Sequence, residues 1–407
     1  MDVAVVGGGQ AGLATSRELS RAGVEHVVLE RGRIGESWRG RWESFCLVTP
    51  NWATQLPGQP YDGDDPDGFM PRGEIVAYLQ RYAAGLGAPI RDGIEVESLD
   101  PAPGGGFALR TSDGHLRARS VVVATGAYQR PHRPAGADTL PADLRQLDVE
   151  DYRSPEELPT GGVLIVGSGQ SGCQIAEELL EAGREVFLAC GRAPWIPRRI
   201  GDRDTVWWLV ESGFMDHTPA DVPWPAARLV ANGLATGHGG GHDLHLRTLR
   251  AGGATLFGHF VGADGRRVRF ADDLAESLAW GDERYEELRQ QVRRVAVERG
   301  LPMPDLPEPE PFDGSAPTEL DLERVASVLF AGGYRPDYEG WVHVPGAFDE
   351  VGFPVHVEGA STAAEGLYFV GVHFLRKRKS SLLLGVGEDA AVVAAQIAAA
   401  NGAGPLG

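Results

Sequence analysis

Short runs of β-branched and aliphatic residues recur along the chain, and several lead into glycine and then into a stretch with helical spacing. Apolar runs of this length without polar alternation are typical of buried parallel strands. Their alternation with helices predicts an α/β protein. The predicted strands are Val3–Val6, Val27–Leu29, Ser120–Ala124, Val163–Val166, Val186–Ala189, Val325–Ala331 and Leu367–Val370.

Other elements follow from local patterns. Residues Gln174–Ala182 have apolar side chains at helical spacing, with glutamates left for solvent. Residues 101–116 predict a strand, a turn at Asp113-Gly114 and a second strand, and Ala263–Gly265 predicts another hairpin. Residues 201–317 contain several predicted helices and are interpreted as an insertion. Its aromatic residues line a substrate pocket or form the core of the insertion, and they are Trp207, Trp208, Phe214 and Trp224.

Two predicted strands lead directly into the same glycine pattern. Gly7–Gly12 and Gly167–Gly172 both have the spacing G-x-G-x-x-G. In such a turn the first glycine reverses the chain, the second lets the backbone approach a pyrophosphate, and the third lets helix and strand pack closely. The N–H groups at the helix N-terminus can then bind phosphate. One match is weak evidence, but two in the same strand–loop–helix context predict two dinucleotide sites.

The strands that follow the two loops end differently. Eighteen residues after Gly12 lies Glu30, a carboxylate that can accept both ribose hydroxyls and would repel a 2′-phosphate. Eighteen residues after Gly172 the chain continues as Cys190–Arg192, which replaces the carboxylate with a nearby guanidinium suited to the 2′-phosphate of NADPH. We therefore expect FAD at the first loop and NADPH at the second. Arg198 is a further phosphate candidate, and the alternative for these arginines is a solvated surface charge.

Composition and charge exclude other classes of function. The chain has 407 residues, a length that suits two domains better than one ordinary core. Its net charge of −19 argues against nucleic acid or an anionic membrane as the main partner, because both require a positive surface. No apolar run approaches the roughly 20 residues needed to span a bilayer, and no signal-peptide pattern opens the chain. A cytoplasmic location is expected.

Neither a redox cysteine pair nor a metal site is predicted. The histidines of residues 238–245 lie close together, but no carboxylate or cysteine pattern supports metal binding, and loop or helix-start positions are expected for them. The three cysteines are far apart and include no C-x-x-C pair: Cys46, Cys173 and Cys190.

The order of an FAD loop and then an NADPH loop, without a cysteine pair, resembles the class B flavin-dependent monooxygenases. This family includes flavin-containing monooxygenases, Baeyer–Villiger monooxygenases and N-hydroxylases, and the likeness is greatest to short bacterial CzcO-like flavoproteins. The resemblance covers nearly the whole chain. Besides the loops, it rests on Val123–Gly126, Phe330–Asp337 and Gly366–Gly371.

The region before the second loop departs from the family pattern. The fingerprint F-x-G-x-x-x-H-x-x-x-[YW] aligns with Ala142–Tyr152, where Tyr152 fits the last position and Asp148 replaces the histidine. The tyrosine favours the flavin-containing or N-hydroxylating branch. The missing histidine favours an alternative function, an NADPH-dependent flavin oxidase or reductase without oxygen transfer. A flavoprotein with a regulatory cofactor is a third hypothesis.

The resemblance implies a monooxygenase that consumes NADPH and inserts one oxygen atom from O₂ into a small organic substrate through a C4a-(hydro)peroxyflavin. N-oxygenation, C-oxygenation and Baeyer–Villiger chemistry all remain open. Asn51 resembles the asparagine that the family places near flavin N5, and its amide can both donate and accept hydrogen bonds. The alternative role of Asn51 is that of a turn residue after Pro50. The expected catalytic residues are Asn51, Asp148 and Tyr152.

The expected cofactor-binding residues lie on the two loops, at the strand ends, on a loop that resembles the family's flavin-contacting loop, and around the last helix. They are Gly7, Gly9, Gln10, Ala11, Gly12, Glu30, Arg31, Trp38, Trp42, Thr125, Gly126, Gly167, Gly169, Gln170, Ser171, Gly172, Gly191, Arg192, Arg198, Gly371, Leu383 and Gly385. Trp38 and Trp42 either pack against the flavin ring or belong to the core. The cationic run Arg376–Lys379 is a solvated face, or it contacts an anionic substrate or a nicotinamide phosphate.

Together these features predict an α/β protein with two Rossmann-like dinucleotide-binding domains, one for FAD and one for NADPH, the second with a largely helical insertion. The FAD domain is expected at residues 1–155 and 338–407, and the NADPH domain at 156–337 with an insertion at about 201–317. The expected partners are a small-molecule substrate and O₂, without nucleic acid or membrane, and a homo-oligomer is left open.

Overall fold

A computed structural model describes residues 1–87, 89–222, 224–230, 232–312 and 315–402. Within these ranges the strands are β1 Val3–Val6, β2 His26–Glu30, β3 Gln55–Leu56, β4 Gln59–Pro60, β5 Ile90–Asp92, β6 Val96–Pro101, β7 Phe107–Thr111, β8 Gly114–Ala118, β9 Ser120–Val123, β10 Arg130–Pro131, β11 Arg145–Asp148, β12 Gly162–Val166, β13 Val186–Ala189, β14 Arg199–Ile200, β15 Arg203–Asp204, β16 Thr255–Phe257, β17 Phe260–Asp264, β18 Arg267–Phe270, β19 Glu319–Asp321, β20 Val325–Phe330, β21 Tyr334–Arg335, β22 His356–Val357, β23 Ala360–Ser361 and β24 Leu367–Phe369.

The α-helices of the same ranges are α1 Gln10–Arg21, α2 Glu36–Arg39, α3 Arg72–Leu86, α4 Gln170–Glu181, α5 Thr205–Glu211, α6 Leu246–Ala251, α7 Leu274–Arg299 and α8 Val386–Gly402. Short 3₁₀ turns lie at Asn51–Ala53, Ala137–Thr139, Val149–Asp151, Pro155–Glu157, Phe214–Asp216, Pro219–Asp221, Pro225–Leu229, His238–Gly240, Leu322–Arg324 and Arg378–Ser381. No helix of the described ranges is both long enough and apolar enough to cross a membrane.

The first sheet has seven strands in the order β22-β23-β24-β9-β1-β2-β5, and the five from β24 to β5 are parallel. Both of its faces are buried, because alternate residues of β1 belong to different cores. Val3 and Val5 pack with α1, α3 and α8, while Ala4 and Val6 pack on the side of the antiparallel sheet β6-β7-β8. Burial on both faces explains why these strands are continuous apolar runs.

The second sheet repeats this plan. Its five strands, in the order β11-β20-β12-β13-β16, are all parallel. Val163 and Ile165 of β12 pack with α4 and α6, while Leu164 and Val166 pack on the side of the antiparallel sheet β17-β18-β19. The chain therefore forms the same three-layer unit twice, with helices on one side of a parallel sheet and a small antiparallel sheet on the other.

Two connections between the sheets are paired with each other. The chain leaves the first sheet after β9 and returns to it after β20, and on these crossings β10 pairs antiparallel with β21. Gln129 reinforces the pairing, because its side chain donates to the carbonyl of Gly126 (2.8 Å) and accepts from the N–H of Asp337 (2.5 Å). The hydroxyl of Tyr338 donates to the same Gly126 carbonyl at 2.7 Å. Both crossings are thus held at one point.

The predicted α/β class with two dinucleotide-binding folds is confirmed. All seven predicted strands are present, with ends that differ by one residue at most, and both predicted hairpins form. The helix predicted at Gln174–Ala182 begins four residues earlier at Gln170, because its first turn is part of the glycine loop.

The predicted insertion contributes to the second sheet. Residues 201–317 contain α5, α6 and α7 as expected, but they also supply β16, which pairs with β13 at the edge of this sheet. Strand β11 also belongs to the second sheet, although it precedes the boundary expected at residue 155. Trp208 lies in the core between α5 and α7, whereas Trp224 is exposed, so these two aromatic residues have different environments.

Candidate functional site

The first glycine loop places the start of α1 against the end of β1. The N–H of Gly7 donates to the carbonyl of Leu29 at 2.8 Å, and Gly7 has φ +110°, a backbone conformation that favours glycine. A Cβ on Gly12 would overlap the carbonyl oxygen of Gly7, and one on Gly7 would lie 2.7 Å from the carbonyl oxygen of Ala124. The first N–H groups of α1 therefore point out of the strand end as phosphate donors.

The second glycine loop has the same geometry. Gly167 has φ +116°, and its N–H donates to the carbonyl of Ala189 at 3.0 Å. A Cβ on Gly172 would overlap the Gly167 carbonyl, and Ala331 takes the place that Ala124 has in the first loop. The residues before α1 and α4, Gly9 and Gly169, have nearly identical backbone angles (φ −77° and −74°). Both loops thus present a helix N-terminus of one design.

Glu30 is positioned by the backbone around the first loop. Its Oε2 accepts from the N–H of Gly8 at 2.6 Å, and its Oε1 accepts from the N–H of Gly32 at 2.8 Å. Each carboxylate oxygen can accept a second hydrogen bond. The carboxylate is therefore held in place with acceptor capacity left for ribose hydroxyls, which fits the adenosine end of FAD.

Arg192 lies beside the second loop and is exposed. The preceding Gly191 is bound to this loop, because its N–H donates to Ser168 Oγ at 3.0 Å and its carbonyl accepts from the same hydroxyl at 3.2 Å. No acidic side chain in the described residues pairs with Arg192. The imidazole of His259, held by Asp273 at 2.6 Å, faces Gly191 and joins this group.

A second group of contacts brings the C-terminal segment to the first loop. Trp38 Nε1 donates to Gln10 Oε1 at 3.3 Å, and Gln10 Nε2 donates to the carbonyl of Ser381 at 3.3 Å. The N–H of Gln55 donates to the carbonyl of Leu383 at 3.2 Å. Residues that are far apart in sequence therefore enclose the carboxyl end of the first sheet, where a flavin ring would extend from the loop.

The remaining predicted contact residues have varied positions. Gly371 lies against Ala11, where a Cβ would collide with the Ala11 methyl group. The side-chain amide of Gln170 pairs with the backbone of Ala235, because its Nε2 donates to the carbonyl and its Oε1 accepts from the N–H at 3.2 Å. Trp42 is buried in the core of the second sheet, which is the core alternative of its prediction. Gly385 lies directly before α8, against Lys379. The others lie at the loops or strand ends, and they are Arg31, Thr125 and Ser171.

Asn51 has a clear structural role. Its Nδ2 donates to the carbonyl of Asp65 at 2.9 Å, and its Oδ1 accepts from the N–H of Met70 at 2.7 Å. The side chain is buried and anchors the acidic loop 61–70. One N–H and one lone pair of the amide remain, so the catalytic role of Asn51 stays a prediction.

Asp148 and Tyr152 lie beside the second sheet and are engaged there. Asp148 forms a two-point ion pair with Arg133 (2.9 and 2.8 Å) at the end of β11. The hydroxyl of buried Tyr152 donates to Glu178 of α4 at 2.7 Å, and burial raises the pKa of Tyr152 well above its ordinary value. The first contact connects the segment after β10 to the end of β11, and the second connects the linker before β12 to α4. A catalytic role for either residue stays a prediction.

Arg198 requires a correction. Its side chain is buried, and Nη2 contacts Asp204 at 2.5 Å while Nη1 donates to the carbonyls of Val48 (2.8 Å) and Thr236 (3.3 Å). Burial raises the pKa of the Asp204 carboxyl despite this partner. The guanidinium links the segment after α2 to residues 198–236, so we assign it a structural role in place of the phosphate contact expected from the sequence.

Neither a metal site nor a dithiol is found in the described part of the chain. No group of three potential metal ligands occurs there, and His238 and His242 contact Glu181 (3.1 Å) and Glu177 (2.7 Å) of α4. The three cysteines are free and buried. Burial raises the pKa of the Cys46 thiol to about 11, which disfavours the reactive thiolate.

The fold and the paired loops define an oxidoreductase with two dinucleotide-binding sites. The model of the pyridine nucleotide-disulphide oxidoreductase family matches residues 4–207, about half of the chain. A CzcO-like uncharacterized oxidoreductase of Geobacillus kaustophilus is 30% identical over 96% of both chains. The chain thus belongs to the pyridine nucleotide-disulphide oxidoreductase family, and its similarity to named flavin monooxygenases supports a place among the class B flavin-dependent monooxygenases. Flavin monooxygenases of that class use FAD and NADPH.

Two further comparisons give one relative by sequence and one by fold. Rice indole-3-pyruvate monooxygenase YUCCA1 is 30% identical over 49% of this chain and 55% of its own length. A flavin-containing monooxygenase from Stenotrophomonas maltophilia has the same fold, with a TM-score of 0.69, 21% identity and 98% of each chain covered. Three features of this chain fit the two cofactors. They are the tight glycine turns, the oriented Glu30, and Arg192, which has no acidic partner among the described residues.

A matched pair of substitutions tests the two loops. We expect Gly12→Ala to abolish FAD binding, because its methyl group would force α1 away from the Gly7 carbonyl. We expect Gly172→Ala to weaken NADPH binding while FAD is retained, for the same reason at α4. FAD content by absorbance and NADPH affinity by fluorescence titration measure the two effects. Gly85→Ala, with open space around the new methyl group, is the control and should change neither.

A second substitution tests the structural role of Arg198. Arg198→Met should lower the free energy of unfolding by about 3–5 kcal/mol, because it leaves the buried Asp204 carboxylate without a counter-ion. The neighbouring Arg199 is exposed, so Arg199→Met should change stability by less than about 0.5 kcal/mol. Denaturant unfolding of the FAD-loaded protein compares the two, and equal stabilities would contradict the assignment.

Proposed function

We propose that this protein is an FAD-dependent monooxygenase that consumes NADPH and inserts one oxygen atom from O₂ into a small organic substrate. The proposal rests on the two glycine loops, which have the same backbone geometry but side chains of opposite charge beside them. Glu30 at the first loop suits an unphosphorylated ribose, and Arg192 at the second suits a 2′-phosphate. Similarity to named monooxygenases supports the transfer of oxygen.

The residues that would hold FAD lie around the first loop. The N–H groups at the start of α1 would bind the pyrophosphate and Glu30 the ribose. Trp38, Gln10 and the Ser381 segment would surround the ring system. When bound, FAD accepts hydride from NADPH and, once reduced, activates O₂. The task of these side chains is to orient the ring and to exclude water from it.

The residues that would hold NADPH lie around the second loop. The start of α4 would bind the pyrophosphate, and the exposed Arg192 would form charge-assisted hydrogen bonds with the 2′-phosphate. The imidazole of His259 lies beside Gly191 at the same place. The paired crossings β10 and β21 would then set the distance between the two cofactors.

One observation favours the alternative of an oxidase or reductase without oxygen transfer. The family fingerprint has a histidine where this chain has Asp148, and Asp148 is engaged by Arg133 at 2.8 Å. In the family this histidine helps to couple NADPH binding to domain movement, and an aspartate held by an arginine would do so differently. A disulphide reductase is a poorer match, because the sequence has no C-x-x-C pair and all three cysteines are buried.

The proposed reaction can be tested on the FAD-loaded protein. We expect NADPH oxidation to be stimulated by one member of a panel of amines, thioethers and ketones, with one atom of heavy-isotope O₂ appearing in the product by mass spectrometry. Stoichiometric H₂O₂ with every substrate would support the oxidase alternative. No flavin bleaching by NADPH under anaerobic conditions would contradict both functions.

Cofactor choice provides a separate prediction. Arg192→Gln should raise the Kd of NADPH by about 10- to 100-fold, as expected for the loss of a charge-assisted pair, and should leave the Kd of NADH nearly unchanged. The two constants are measured by anaerobic titration of flavin reduction or by fluorescence. An equal loss for both nucleotides would show that Arg192 does not contact the 2′-phosphate.

A further inference from the structure

Three of the four cations in the run Arg376–Lys379 are neutralised by acidic side chains. Arg376 contacts Glu358 at 2.5 Å and the buried carboxylate of Asp389 at 3.2 Å. The two lysines share one pair of carboxylates at 2.6–3.1 Å, those of Asp216 and Glu388. The run is therefore not a solvated face. It is an ion-pair network that joins the start of α8 to the turn Phe214–Asp216.

Arg378 is the exception within this run. No acidic side chain of the described ranges contacts its guanidinium, and its Nε is buried without a hydrogen-bond acceptor. Instead, its Cζ lies 4.2 Å from the ring centre of Phe214 and 4.6 Å from that of Phe374. Two aromatic rings therefore hold a partly buried cation whose neighbours are all paired.

In this environment the guanidinium of Arg378 has hydrogen-bond donors without acceptors among the described residues. Burial lowers the pKa of its guanidinium to about 10, so the group stays charged at neutral pH but is partly desolvated. Two cation–π contacts offset some of that cost, but they do not satisfy the N–H donors. A planar guanidinium with unused donors matches a carboxylate, which it can bind through two parallel hydrogen bonds.

The position of Arg378 places this cation next to the expected flavin region. Its backbone N–H donates to the carbonyl of His217 at 2.7 Å, and Phe214 precedes that residue in the same segment. Three residues after Arg378, the carbonyl of Ser381 accepts from Gln10 of the first glycine loop. Arg378 thus lies where residues 214–217 meet the C-terminal segment that reaches the FAD loop.

We propose that Arg378 binds the carboxylate of an anionic organic substrate, between the rings of Phe214 and Phe374. The proposal rests on the proposed function and names the substrate class for the same site. A phosphate of the nicotinamide nucleotide has the same oxyanion chemistry. The carboxylate is favoured, because the second loop and Arg192 already supply donors for that nucleotide beside the other sheet.

The experiment measures binding to the FAD-loaded protein without NADPH or turnover. Benzoate, phenylacetate and phenylpyruvate are titrated while the flavin absorbance is recorded, and their methyl esters serve as neutral counterparts. We expect the wild type to bind at least one carboxylate more tightly than its ester. Arg378→Gln should weaken that binding by about 10- to 100-fold, with the Kd of the ester changed less than about twofold.

Two further variants control for charge and folding. Lys377→Gln removes one positive charge from the adjacent residue, but Lys379 keeps contact with the same carboxylates, so carboxylate affinity should stay within about twofold of the wild type. Arg378→Lys keeps the charge without the planar fork and should show an intermediate loss. If Arg378→Gln does not retain FAD, the comparison of Arg378→Lys with the wild type decides the test.

Several outcomes would overturn the proposal. One is a wild type that prefers no carboxylate over its ester, and another is a carboxylate affinity that the Arg378 variants leave unchanged. NADPH is titrated separately into the same variants, and a loss confined to NADPH affinity would assign Arg378 to the nucleotide instead. Because the titration needs only bound flavin, failure of the oxygenation assay leaves its result interpretable, and the two failures can be distinguished.

Discussion

The structure depends on the close approach of a helix to the end of a parallel strand at two glycine turns. At each turn a glycine carbonyl lies where the Cβ of the third glycine would otherwise be, so the helix can begin directly above the strand. That approach leaves the first N–H groups of the helix without partners inside the fold. The two sheets, their layers and the expected cofactor sites are all arranged around this repeated contact.

The same contact explains the likeness between the two halves of the chain. Ala124 and Ala331 lie at equivalent places beside Gly7 and Gly167, and the N–H of each donates to a carbonyl of the neighbouring strand at 2.8 Å. Both alanines end a strand that leads into a crossing between the sheets. Since β10 and β21 pair there, a change in the position of one nucleotide-binding unit would be transmitted to the other.

The arginines discussed near the expected cofactor sites form two groups. The groups differ in whether an acidic partner is present, which the residue type alone does not show. Arg198 and Arg133 have acidic partners at 2.5 and 2.8 Å, and they stabilise the junctions around the second sheet. Arg192 and Arg378 have no acidic partner among the described residues. An arginine without a counter-ion is available to a ligand, whereas a buried paired one would leave its carboxylate uncompensated if it moved.

Local sequence patterns were sufficient to predict much of the fold and both glycine loops. The runs Val3–Val6 and Val186–Ala189 predicted strands correctly to the residue, because strands buried on both faces are continuous apolar runs. The three-residue strand β16 was missed, since a run as short as Thr255–Phe257 has no periodicity of its own. Its place in the sheet is decided by pairing with β13, which is remote in sequence.

Neighbouring residues and backbone sterics were enough to predict the α/β class, both glycine turns and the contrast between Glu30 and Arg192. The use of the other candidate side chains depends on contacts that form only in the folded chain. Tyr152 meets Glu178, and Asn51 meets the loop at Asp65, through contacts that chain folding creates. The environment of Arg378 is likewise a tertiary property, because its cationic neighbours in sequence contact carboxylates whereas Arg378 contacts two aromatic rings.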